Sequence, residues 1–271
     1  MILISVVVTT YNWPSALKLC LESLFAQTDK NFEIIIADDG SNSENLKLTR
    51  SFCADSPVSI CYVHHDDQGF RAGTIRNKAV AQSKGDYLVF IDGDCVLRSD
   101  FIYVHRQLAA VGCFVPGNRV LLSQSFTQKV IEEHIPLYAK SVYYFLLLWL
   151  QKKINRLLGV FKLPLGLLRY SQPKKWKKAM TCNLGVWKKD FIRVNGFDEL
   201  FEGWGFEDSD LVIRLIHCGI HRKEGRFAVP VFHLWHPHND RSRQGTNYKR
   251  LLERLHQDDF VQAKKGVLQY L

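Results

Sequence analysis

Short apolar runs alternate with helix-like segments through the first ninety residues of this chain. Leu3 to Thr9 predicts a first strand, and Asn12 with Pro14 predicts the N-cap and opening proline of a helix over Ser15 to Gln27. Phe32 to Ala37 predicts a second strand, Ser43 to Cys53 a helix and Val58 to Val63 a third strand. His65 to Thr74 is too polar and glycine-rich for a regular element; a helix over Ile75 to Gln82 then leads to Gly85 and a strand from Leu88 to Ile91. This β-α-β-α-β-α-β order indicates an α/β fold with a mostly parallel central sheet, wound by right-handed crossovers and flanked by helices. Past Asp94 the rhythm loosens. The pattern predicts helices over Phe101 to Val111, Phe126 to Glu133, Lys188 to Val194 and Glu207 to His217. It predicts strands over Phe114 to Leu122, Met180 to Trp187 and Phe227 to Trp235, and a mostly helical tail from Tyr248 to Leu271.

Two of the early strands end in acids. Asp38-Asp39-Gly40-Ser41 follows the second, and Asp92-Gly93-Asp94 follows the Leu88 to Ile91 strand, at the sheet end where open α/β folds place their ligands. Asp-Gly-Ser is good turn sequence, which accounts for the glycine but not for paired acids at a strand end. Asp92 and Asp94, one glycine apart, concentrate charge that a divalent cation usually offsets. A dinucleotide fold is disfavoured, because the first turn, Thr9 to Pro14, has no glycine to admit a pyrophosphate. Glu207, Asp208 and Asp210 open a predicted helix, where carboxylates are stabilised beside free amide hydrogens, yet three acids in four positions exceed what capping requires. His233, His236 and His238 cluster at the end of the last predicted strand; each could be an ordinary surface histidine or a metal ligand.

A chain of 271 residues suits a single domain with elaborations. Its net charge of +9 is local: from Lys140 to Lys189 there are twelve Lys or Arg and no Asp or Glu, so the remainder is slightly acidic. The same region holds the apolar run Val142 to Leu150, too short to span a bilayer, and a second apolar segment from Leu157 to Leu168. It reads as an interfacial segment for an anionic membrane surface or as a core helix with a basic linker; nucleic acid is disfavoured, because aromatics and lysines are blocked rather than interleaved. The apolar start lacks a basic lead and a cleavage site, so it reads as a core strand and not a signal peptide. Seven scattered cysteines with no Cys-x-x-Cys pair read as buried thiols of a reducing cytoplasm.

Taken together, Val7-Val-Thr-Thr-Tyr-Asn12, Ala37-Asp-Asp-Gly-Ser41, Gly69, Arg76-Asn77 and Asp92-Gly93-Asp94 resemble the nucleotide-sugar glycosyltransferases of the GT-A fold, family 2, of bacterial polysaccharide and lipopolysaccharide synthesis. Asn183 to Lys188, Asn195 to Glu199 and Gly203 to Asp210 resemble the half shared by chondroitin-type polymerases and β-1,4-galactosyltransferases. The resemblance implies a nucleotide-sugar-binding, Rossmann-like half over residues 1–122, a basic and apolar insert over 123–179, an acceptor and catalytic half over 180–245 and a C-terminal helix over 246–271. It implies an inverting, metal-dependent hexosyltransferase taking a UDP-sugar to a glycan or glycolipid acceptor at the cytoplasmic face of a bacterial inner membrane. The rivals are a noncatalytic carbohydrate- or lipid-binding protein of the same fold, and a sugar nucleotidylyltransferase, which the missing glycine-rich loop disfavours.

Residue by residue, the resemblance gives Thr9, Tyr11 and Asp39 contacts to uracil and ribose, with Asp38 close by, and makes Arg71 and Arg76 helpers for the nucleotide or its phosphates. Asp92 would hold donor hydroxyls and Asp94 would ligate Mn2+ or Mg2+, with His233 as the best-matching second ligand and His236 the runner-up. Asn183 would line the donor-sugar pocket and Trp204 would lie under the sugars. Asp208 would be the base for the acceptor hydroxyl, with Glu207 binding hydroxyls beside it.

Overall fold

The structure, a computed structural model, describes residues 2–54, 56–237, 240–257 and 259–271. The first half follows the expected order: β1 (Ile4–Thr10), α1 (Pro14–Phe25), β2 (Phe32–Asp38), α2 (Ser43–Cys53), β3 (Ile60–His64), α3 (Ala72–Gln82) and β4 (Tyr87–Asp92). The rest runs β5 (Cys95–Leu97), α4 (Phe101–Leu108), β6 (Cys113–Pro116), β7 (Asn118–Leu121), α5 (Gln124–Glu132), α6 (Val142–Leu150), β8 (Asn183–Trp187), α7 (Lys188–Arg193), α8 (Glu207–His217), β9 (His221–Arg222), β10 (Pro230–His233) and α9 (Gln244–Leu255).

Among the described residues, seven strands form one sheet in the order β3-β2-β1-β4-β8-β6-β9, and β5-β10-β7 form a small second sheet. β3, β2, β1 and β4 are parallel, and β8 joins β4 antiparallel. Both faces of β1, β2 and β4 are buried, so these strands are mostly apolar, and the alternation shows in their packing; β3, at the sheet edge, is only partly buried. Val6, Val8, Ile34, Ile36, Val89 and Ile91 pack with Leu17 and Leu21 of α1 and Ile102 of α4. Val7, Ile35, Leu88 and Phe90 face the other way, onto Ile75 of α3, Phe191 of α7 and Leu211 of α8. Among the described residues no helix is long and apolar enough to cross a membrane.

Several expectations are corrected by contacts distant in sequence. Asn12 does not cap α1; its side chain accepts from Asn42 N (3.0 Å) and Asn45 Nδ2 (2.9 Å), so it ties the first turn to the start of α2. α3 starts at Ala72, before the expected Ile75, because Asp39 Oδ2 accepts the Arg71 amide at 2.9 Å just ahead of its first turn. The single strand expected over Phe114 to Leu122 is two, split at Gly117, and the halves belong to different sheets. A Cβ on Gly117 would sit 2.1 Å from the Asn183 amide, so only glycine lets the chain turn there. The Phe227 to Trp235 strand shrinks to Pro230–His233. The tail is helical only to Leu255; beyond it Ala263 N donates to Val194 O and Val267 N to Asn195 O, pinning an irregular segment against the end of α7, with a last 3-10 turn at Val267–Tyr270.

Asp210, the third acid of the predicted helix start, is structural. It is fully buried with Arg214 one turn along α8, Nη2 to Oδ2 2.7 Å, and Arg214 also donates to the carbonyls of Val194 and Gly196. Removing one partner strands a buried charge. Asp210→Ala is therefore expected to destabilise the fold by about 3–5 kcal/mol, read as a lowered urea midpoint with an unchanged slope.

Candidate active site

The C-terminal ends of β1, β2 and β4 open into a cleft of about 1290 Å3, closed on the other side by the start of α8, the end of β10 and α5. Thr9, Tyr11, Asp39, Arg76, Asp92, Asp94, Trp204, Glu207, Asp208, His233 and His236 all line it, so most of the residues singled out from the sequence meet in one place.

At one end, Tyr11 donates to Asp67 (2.8 Å), and Asp39 accepts from the His65 ring (2.7 Å) as well as from the Arg71 amide. Asp38 points the other way. It is fully buried, accepts the Gly40 and Ser41 amides at 3.2 and 2.7 Å and is the acceptor for the Tyr62 hydroxyl, so it holds the turn and leaves the cleft to Asp39. Arg71 contributes its amide; its guanidinium donates to the Asp66 carbonyl (3.0 Å) and is not among the cleft residues.

Arg76 is the charge at the centre of the site and is not the solvated side chain that arginine usually is. From α3 its Nε donates to Thr9 Oγ1 (2.9 Å) and Nη2 to Asp92 Oδ1 (3.1 Å), while Nη1 lies 3.7 Å from Glu207 and 3.6 Å from Asp208. Its plane lies over the Phe197 ring. One cation thereby faces three carboxylates drawn from β4 and α8.

The loop before α8 is shaped for this meeting. Gly203 has φ +71, and Phe206, a non-glycine residue, has φ +72, a left-handed turn that ends directly in Glu207 and Asp208. Trp204 stands on this loop with the Arg241 guanidinium 4.9 Å from its ring centre. Thr181, which no sequence pattern marked, braces Asp208: its hydroxyl donates to Oδ1 at 2.6 Å and its amide to Oδ2 at 3.1 Å. Burial pushes the carboxyl of Asp208 above its ordinary pKa, against the opposing pull of Arg76 and Thr181. Burial first, then the neighbouring Asp208 charge, also pushes Glu207 up.

At the other end, Asp94 Oδ1 lies 3.6 Å from His233 Nε2 and Asp94 Oδ2 lies 3.3 Å from His236 Nε2. His233 closes β10, which pairs with β5 directly after Asp94, and Leu234 N donates to the Asp94 carbonyl at 3.0 Å. His238 lies outside the described residues. Cys95 is also within reach, its thiol 3.6 Å from Asp94 Oδ1. Burial holds that thiol well above its usual pKa, so it sits as a neutral donor under the carboxylate. Asp94, Cys95 and His233 bring ligand atoms within 4.8 Å of one another, and His236 stands at the other Asp94 oxygen; the carboxylate and imidazole donors of this group suit Mn2+, a cation of oxygen and nitrogen sites.

Asn183 is not in the cleft. It is buried with both amide atoms engaged: Nδ2 donates to Val229 O (2.6 Å), and Oδ1 accepts from His105, whose pKa burial lowers to about 4, leaving the ring neutral. It fastens β8 to the small sheet. The cleft wall also includes Arg119, Lys178 and, from α5, Gln124, Thr127 and Gln128. None of these carries a motif.

A parallel sheet with acids at its switch-side strand ends, continued by an antiparallel β8 and a second small sheet that brings histidines to those acids, is the arrangement of GT-A glycosyltransferases. Residues 5–162 match the family described as Glycosyl transferase family 2, and residues 165–236 match "N-terminal domain of galactosyltransferase". The chain belongs to glycosyl transferase family 2. Validoxylamine A glucosyltransferase of Streptomyces hygroscopicus subsp. jinggangensis (strain 5008) is 31% identical over 233 residues, 80% of this chain and 52% of that protein. Chondroitin synthase of Escherichia coli is 27% identical over 237 residues, 83% of this chain and 34% of that protein. The chain thus spans about half of the first relative's length and about a third of the second's. The crystal structure of GalNAc-T7 with UDP, GalNAc and Mn2+ superposes with a TM-score of 0.65 at 15% identity, over 93% of this chain and 48% of that one, and so bears out the fold.

Proposed function

We propose that this chain is an inverting glycosyltransferase that moves a hexose from a UDP-sugar to a hydroxyl of a cell-surface glycan acceptor. The observation that carries this reading is the pairing, in one cleft, of a braced carboxylate, Asp208 on Thr181, with the Asp94, His233 and His236 donor set. Family membership and the likeness to a glucosyltransferase support it, as does the shared fold of a structure that holds UDP, GalNAc and Mn2+.

In this reading Thr9, Tyr11 and Asp39 receive the nucleoside, and His65 fixes the Asp39 carboxylate while Asp38 and the Arg71 amide hold the turn beneath. Asp92, held by Arg76, takes donor hydroxyls. Asp94, His233 and His236 would hold a divalent cation, which supplies charge neutralisation for a diphosphate. Trp204 offers the sugars a flat apolar face. A sugar hydroxyl is a poor nucleophile, so Asp208 accepts its proton as the oxygen bonds to the anomeric carbon; the bond from that carbon to the phosphate oxygen breaks on the opposite face, and the centre inverts. Glu207, beside it, orients hydroxyls. Residues 1–122 act as the donor half and 180–245 as the catalytic half, with the insert contributing α5 to the shared wall.

The test is a screen of UDP-, GDP- and TDP-sugars with Mn2+. UDP-sugars are expected to bind, to hydrolyse slowly and to transfer with inversion to glycan acceptors. A screen in which no sugar nucleotide binds with metal, or in which the anomeric configuration is retained, rules the reading out.

A further inference from the structure

The insert keeps one side in the core and turns the other to solvent. Every residue of α6 is apolar or aromatic, yet only Phe145 and Leu148 are buried, Phe145 stacked on Phe232 with ring centres 4.3 Å apart. Tyr143 (67% exposed), Leu150 (62%), Leu147 and Trp149 face out. The chain then dips back, with Ile154 bridged to Leu122 and Val160 in the core, and emerges again with Leu158, Leu167 (88%) and Leu168 (69%) exposed. This outer loop is held in shape, since Arg169 donates to the carbonyls of Leu163, Glu224 and Arg226. Scattered exposed leucines are ordinary, but this many within one insert forfeit about 1.5–3 kcal/mol each if left in water.

The charge around them says what covers them. In the sequence, exposed Lys152 and Arg156 lie between the two apolar stretches and exposed Lys174 and Lys177 follow them, and no acid occurs between Lys140 and Lys189. A second copy docked face to face would set this basic segment against itself. Nucleic acid would meet the cations but leave the leucines wet. A bilayer with anionic lipid satisfies both, because leucines and aromatic rings enter the headgroup boundary while lysines meet the lipid charge.

We propose that the outer face of residues 142–178 seats this protein on an anionic bilayer. α5, which packs in the same cluster as α6 through Phe126 and Val130, also lines the cleft, so docking holds that wall of the cleft beside the membrane. A lipid-carried glycan acceptor then follows; that consequence rests on the transferase reading, whereas the docking does not.

The experiment is sedimentation of the full chain with vesicles of phosphatidylcholine alone and with about one third phosphatidylglycerol, without sugar nucleotide, in low and high salt. Binding is expected only to the anionic vesicles and is expected to fall as salt rises, since lysine contacts are screened. L167Q/L168Q is expected to weaken it at least about tenfold, and K174Q/K177Q by about fivefold per lysine, with melting temperature and UDP affinity unchanged in both. Equal binding to both vesicle types, binding to neither, or binding that neither pair of substitutions weakens overturns the proposal. So does a concentration-dependent dimer in sedimentation velocity that L167Q/L168Q abolishes, which would give the face to a second copy. Vesicle binding can fail while UDP-sugar transfer succeeds, and the reverse, so the two readings fall separately.

Discussion

Asp94→Ala is expected to abolish metal-dependent UDP binding, and His233→Ala to weaken it by at least about tenfold. The reasoning is geometric. Asp94 follows β4 and His233 closes β10, two segments far apart in the chain that the β5–β10 pairing fixes side by side. The carboxylate offers one oxygen to each imidazole, so its loss leaves the two rings with no anionic partner. Loss of one imidazole leaves a carboxylate and the other ring. Disturbing even an outer partner of a metal ligand costs about 10–100-fold in affinity, which sets the floor for removing a ligand itself. His236→Ala separates the two histidines: His236 is more exposed than His233, and its ring also lies edge-on to Trp13 at 6.1 Å. Its loss is therefore expected to cost less than that of His233. Cys95→Ser is expected to leave affinity within about threefold, since manganese prefers oxygen and nitrogen donors to sulfur. Calorimetry of Mn2+–UDP binding decides it. Unchanged affinity in both Asp94→Ala and His233→Ala removes the metal assignment, and a large loss in Cys95→Ser moves it to the thiol.

How much of this could be read from residues alone depended on whether the determining contacts were local. β1 to β4 were legible because parallel strands are short apolar runs punctuated by helices, a pattern set within each segment. Past Asp94, boundaries are set from elsewhere. Pro116-Gly117 looks like the middle of a strand until the Asn183 side chain is seen filling the space where a Cβ would go. β5 is three residues long and gains its identity only from β10. In the site, the acids were visible because paired carboxylates at strand ends are chemically costly, but their division of labour was not. Asp38 and Asp39 are adjacent, so they point to opposite sides of the chain, and only the fold says which side is the cleft. Asp210 did carry a local sign in Arg214 four residues on, the spacing of a helical ion pair. Thr181, His65 and Arg119 had none: each is an ordinary residue whose role arises from what the tertiary structure places against it.

Asp208→Asn is expected to leave UDP-sugar affinity nearly intact and to lower transfer by about 10²-fold or more, the scale of positioned base catalysis. The amide keeps the shape, its oxygen accepting the Thr181 amide hydrogen and its NH2 donating to the Thr181 hydroxyl oxygen, but it takes no proton from an acceptor hydroxyl. Glu207→Gln, on the other side of Arg76, is expected to alter KM as well as kcat, since its part is to orient hydroxyls. The pH dependence gives a readout that a merely structural role does not move. A base must be ionised to act, so kcat rises with pH as Asp208 loses its proton. Burial raises that pKa, which places the acid limb above the ordinary aspartate value of about 3.9. Thr181 donates twice to the carboxylate and so favours its charged form. Thr181→Val removes the hydroxyl bond and is expected to move the acid limb to higher pH, with most of the turnover recovered on the alkaline side. The measurement is turnover with a defined acceptor at saturating UDP-sugar across pH, beside an independent donor affinity. Near-normal turnover in Asp208→Asn with a dead Glu207→Gln assigns the base to Glu207. Activity in both, with an unmoved profile in Thr181→Val, reduces the pair to capping α8 and sends the search for the proton acceptor elsewhere in the cleft.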